Sequence, residues 1–116
     1  MLIIDPQNDF HPGGSLAIPT ANDDSSRIAA LISKHGDSID DIIVSLDTHQ
    51  RLHIAHSLFW VNGSGEHPAP FTSIPLESVK NGDWKTTDPK WQEWGLEYVS
   101  RLEENKRFTL VIWPEV

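Results

Sequence analysis

The chain has 116 residues, no cysteine and a formal net charge of −8. That length allows one domain with a real core, and the acidic balance argues against nucleic-acid backbones and anionic membrane surfaces as partners. Without cysteine there is no disulfide, and no thiolate to bind metal or attack a substrate. The apolar runs are far too short for a spanning helix, and the start shows no leader of signal length. The expectation is a cytoplasmic protein.

Leu2-Ile3-Ile4 is a short apolar run that stops at Asp5. A strand buried on both faces of a parallel sheet looks like this. Pro6, Pro12, Gly13, Gly14 and Pro19 mark residues 6–21 as loop. A helix is expected over 22–36, capped by Asp23, Asp24 or Ser25, with Ile28, Leu31 and Ile32 on one face and Gly36 at its end. Residues 41–47, DIIVSLD, form a second β-branched run that again stops at an aspartate. Strand, helix and strand at this spacing predict a right-handed βαβ unit. Asp5 and Asp47 then end neighbouring parallel strands at one sheet edge, Asp5 the more buried. Open α/β sheets place their sites there.

Residues 48–86 read as a long polar loop. Residues 88–107 read as a helix, with Asp88 as cap, Pro89 at the first position, and Trp91, Trp94, Tyr98 and Leu102 at helical spacing. Residues 107–116, RFTLVIWPEV, read as a third strand.

Asp47, His49, His53 and His56 fall within ten residues. In an extended segment residues i and i+2 share a face, so Asp47 and His49 suit one divalent ion, zinc, iron or manganese. His53 and His56 read as outer or surface groups.

LIIDPQNDF, GGSL, VSLDTHQ and IWPE stand here in the order found in isochorismatase-like cysteine hydrolases. The chain resembles the nicotinamidase branch of that family most, over what corresponds to the N-terminal half of such an enzyme. The resemblance implies a Rossmann-like three-layer αβα fold, of which this chain would hold strands 1–3 of a parallel sheet as one partial domain, 1–116. It implies that Asp5 is the aspartate of an Asp-Cys-Lys triad, that Phe10 and Trp113 line the substrate pocket, and that Asp47 and His49 are ligands of a divalent metal. It implies hydrolysis of a small amide such as nicotinamide. A thiolate attacks the carbonyl, and a carboxylate carries the proton to the leaving ammonia.

Three parts of the family pattern have no counterpart. Val116 stands where the family has a metal-binding histidine, no lysine stands at the triad position, and there is no cysteine. The expectation is therefore a truncated nicotinamidase-related chain, inactive alone, with a weak metal site. One alternative is half of a hydrolase that is split, or whose gene boundary is misplaced, completed by a C-terminal half or by homo-oligomerisation. The other is a non-enzymatic module that binds a pyridine or a metal.

Overall fold

The structure is a computed structural model describing residues 1–116. Its one parallel ladder joins the two apolar runs that stop at aspartates. β1 (Leu2–Ile3) pairs in parallel with β2 (Ile43–Val44), Leu2 opposite Ile43 and Ile3 opposite Val44. The hydrogen bonds run past these short strands. Ile43 N–H donates to Met1 O at 2.9 Å, Ser45 N–H to Ile3 O at 2.9 Å, and Asp5 N–H to Ser45 O at 3.1 Å.

Between them runs α1 (Ala21–His35). It begins earlier than its acidic residues suggest. Thr20 is the N-cap, without a side-chain cap bond, and its carbonyl accepts from Asp23 N–H at 3.0 Å and Asp24 N–H at 3.2 Å. Asp23 and Asp24 therefore lie in the first turn, where their charge favours the helix dipole, and neither is the cap. Gly36 stays right-handed and leads into a 3-10 turn, Gly36–Ser38.

The chain divides into two compact units, Met1–His49 with Val116, and Gln50–Glu115. None of residues 1–49 is buried. Leu2, Ile4, Ile43 and Val44 are 61%, 62%, 63% and 51% exposed, so the strands are not the doubly covered ones that their sequence suggests. A parallel sheet needs a layer on each face, and this unit supplies one long helix for two strands.

The second unit holds the core. Much of it comes from residues 48–86, read from sequence as loop. There, β3 (Trp60–Val61) pairs antiparallel with β5 (Lys85–Thr86). β4 (Ser73–Ile74) pairs antiparallel with β6 (Leu110–Val111). So the expected third strand exists but is short, and its partner is β4. The architecture is mixed α/β with a small parallel sheet, and the parallel ladder holds β1 and β2.

Two helices, α2 (Leu76–Lys80) and α3 (Gln92–Glu104), pack against each other. Gly95 lets α3 approach the sheet, because a Cβ there would stand 3.1 Å from Thr86 Cγ2 and 3.4 Å from the Trp60 ring. Asp88 does cap, but it caps the 3-10 turn Pro89–Trp91 that precedes α3, accepting from Lys90 N–H at 3.1 Å. The Lys90 hydrogen bonds hold the Asp88 carboxyl below its ordinary value.

Trp60 is fully buried, and its indole N–H donates to Ile54 O at 2.7 Å. Trp60→Ala should destabilise the second unit by about 3–5 kcal/mol, the usual cost of emptying a large aromatic site. Urea unfolding followed by circular dichroism reads this directly. An unchanged midpoint would show that Trp60 is not the centre of the core. No helix is long and apolar enough to cross a membrane.

Candidate functional site

Asp5 takes a left-handed backbone conformation, φ +49°. Non-glycine residues adopt this rarely, and aspartate is among those that tolerate it. The turn ends β1 and redirects the chain. Ser45 then holds the carboxylate from the next strand: its hydroxyl donates to Asp5 Oδ1 at 2.7 Å, and Asp5 N–H approaches the same hydroxyl at 3.2 Å. Asp5 is thus fixed by the residue beside it in the ladder.

Gln7 continues the pairing with its side chain. Its Oε1 accepts from Asp47 N–H at 2.8 Å, and its Nε2 donates to Asp47 O at 2.8 Å. The amide takes the place of a peptide group and ties the loop after β1 to the segment after β2. Asp5 and Asp47 therefore lie at the same end of a parallel pair, as the sequence suggests, and both are partly buried.

Beyond Asp47, the His49 ring turns back. His49 Nδ1 lies 3.3 Å from Asp47 Oδ1, and both side chains are accessible. Two donors of the kind that suits zinc or iron thus converge from positions i and i+2. No group of three or more His, Cys, Asp or Glu side chains is arranged to hold an ion. The pair fits part of a metal's coordination.

Residues 6–20 fold back on themselves. Asn8–Phe10 form a 3-10 turn, Leu16 N–H donates to Asp9 O at 2.9 Å, and Ile18 N–H donates to Phe10 O at 2.9 Å. Gly14 is required here, since a Cβ would stand 2.3 Å from the carbonyl oxygens of Asn8 and Asp9. The fold-back leaves a cleft of about 280 Å³ with Ile4, Phe10, Ile18 and Ile28 as apolar walls. Asp5, His11, Asp24 and Ser25 add polar groups to it. Asp5 and Phe10 thus line one cleft.

Trp113 lies in the second unit. It is 48% exposed, its N–H donates to Ala55 O at 2.8 Å, and its ring stands edge-on to Phe71, centroids 5.8 Å apart. His53 and His56 also belong to that unit, rings 5.2 Å apart. His56 is buried and its Nδ1 bonds to Arg51 O at 3.1 Å, which fits a structural histidine.

Sequence reasoning gave no site role to Gln7, Ser45 or His11, and named Ser25 only as a possible helix cap. Gln7 and Ser45 stand inside the quoted motifs, so their place could have drawn attention. The pairing of His11 with Ser25 across 14 positions has no sequence signal.

The ladder, the loop and the two carboxylate-bearing strand ends define the class, a mixed α/β protein with polar groups gathered at the end of a parallel pair. Among curated proteins, a nicotinamidase from Acinetobacter baylyi is 32% identical over 75 residues, 65% of this chain and 32% of that protein. The match therefore spans about a third of that relative's length. It supports a distant, partial relationship to nicotinamidases. No family model matches, and no solved structure matches.

Proposed function

We propose that residues 1–116 carry the acid-bearing segment of a nicotinamidase-type amidohydrolase acting on a small amide such as nicotinamide. The observation that carries this reading is the strand-end arrangement. Asp5 is held by Ser45, and Asp47 beside His49 is held by Gln7, at one end of one parallel pair. The nicotinamidase match supports it independently.

In this reading Asp5 takes the proton of an attacking thiol and delivers it to the leaving ammonia. Ser45 fixes which oxygen faces outward, because its hydroxyl occupies Oδ1. Phe10 gives an aromatic ring an apolar wall. Asp47 and His49 would hold a divalent ion, whose role when bound is to anchor the pyridine nitrogen. These residues contain no cysteine. The thiolate and the lysine that accompanies it must come from other polypeptide, in the same chain or a partner.

A chimera tests this. The matched segment of the A. baylyi nicotinamidase is replaced by this chain, and ammonia release from nicotinamide is measured. The chimera should be active and should lose activity on Asp5→Asn. A folded chimera that is inactive, or one indifferent to Asp5→Asn, would contradict the reading.

A further inference from the structure

The cleft holds a second set of reactive groups that the amidohydrolase reading does not use. His11 Nε2 lies 2.7 Å from Ser25 Oγ, and His11 Nδ1 lies 2.8 Å from Gln7 O. A carbonyl oxygen can only accept, so Nδ1 carries the proton in the neutral ring. Nε2 is then the lone-pair nitrogen, and Ser25 O–H donates to it. This is the tautomer that a general base needs, with the base oriented by a third group, here a backbone carbonyl.

The environment of Ser25 sets it apart from its neighbour. A serine inside a helix commonly turns its hydroxyl to the carbonyl four residues back. Ser26 does so, donating to Asn22 O at 2.9 Å. Ser25 points out of the helix to His11 and lines the cleft together with Phe10, Ile18 and Ile28. The cleft, about 280 Å³, lies near the lower end of ligand-pocket sizes, which suits a small molecule. Asp5 and Asp24 also line it, and Asp24 is paired with Arg27. Carboxylates in its lining disfavour anionic substrates.

The geometry points to a serine acyl-transfer site: Ser25 as nucleophile and His11 as general base, acting on small, uncharged aryl esters. Ser25 Oγ attacks the ester carbonyl carbon as its proton passes to His11 Nε2. The bond from that carbon to the aryl oxygen breaks, and the imidazolium returns the proton to the leaving aryloxide. The products are an acyl-serine and a phenol. Water then attacks the acyl carbon with His11 Nε2 taking its proton, the bond to Ser25 Oγ breaks, and the proton passes to Oγ. A carboxylic acid leaves and the serine is restored. The reacting groups differ from those of the nicotinamidase reading, which needs a thiolate, although Asp5 and Phe10 line the same cleft.

The test is p-nitrophenyl acetate with the unaltered chain, followed by intact-mass and peptide mass spectrometry, and in parallel an alkyl fluorophosphonate. The expected result is one acetyl or phosphonyl group on Ser25. The rate should fall on the order of a hundredfold or more on His11→Ala, as for loss of a general base. Ser25→Ala should abolish labelling. Because the labelled residue is read on the unaltered chain, the result does not depend on the variants folding. No adduct above that of free serine would overturn the proposal. So would an adduct elsewhere, on His11 included, or labelling unchanged by His11→Ala. Each would leave the hydrogen bond as a tie between loop and helix.

Discussion

Residues 1–116 incubated with nicotinamide should release no ammonia above the uncatalysed background. A carboxamide has a poor leaving group and needs a strong nucleophile, a proton carrier and a held oxyanion at once. Asp5 could carry the proton, but the chain has no cysteine to supply the thiolate. Loss of a nucleophile from a triad typically lowers turnover by a factor on the order of a million, which leaves nothing to detect in an ordinary assay. Ser25 does not rescue it. An activated aryl ester brings a leaving group that departs easily, whereas nicotinamide does not. The check is a coupled ammonia assay on the purified chain. Ammonia release that disappears on Asp5→Asn would show that these residues hold a complete amidase.

The first 49 residues were largely legible in the sequence. Two apolar runs ending in Asp5 and Asp47, with a helix between them, gave the parallel pair and its end, because β-branched runs and helical spacing are local signals. Residues 88–104 were legible for the same reason, though a 3-10 turn precedes the helix. The second unit's sheets were not. β3, β4 and β5 are two residues each, below any periodicity, and each finds its antiparallel partner only through tertiary packing. Phe59, Trp60 and Ile74 were thus hidden inside an apparent loop, although they are among the most buried residues of the molecule.

The third strand shows another limit. RFTLVIWPEV has strand composition, and β6 does form within it. Composition does not choose a partner, and the register with Ser73–Ile74 is set by packing in the second unit. In the candidate site, the aspartates and His49 could be named in advance. What fixes them could not. Ser45 reaches Asp5, and the Gln7 amide reaches Asp47, each across 40 positions. These contacts exist only once β1 and β2 are in register.

Asp47 and His49 as a partial metal site are central to the proposed function, and zinc calorimetry on the purified chain tests them most directly. Their donor atoms approach to 3.3 Å in an accessible segment, and no set of three or more His, Cys, Asp or Glu side chains is arranged there to hold an ion. A tight catalytic zinc site usually has three protein ligands. Zinc should therefore bind weakly, at one equivalent, and be removed readily by a chelator. His49→Ala should abolish the heat of binding, since a lone carboxylate in water holds zinc poorly. Tight stoichiometric binding that survives His49→Ala would contradict the assignment, because the ion would then be held by a different set of residues.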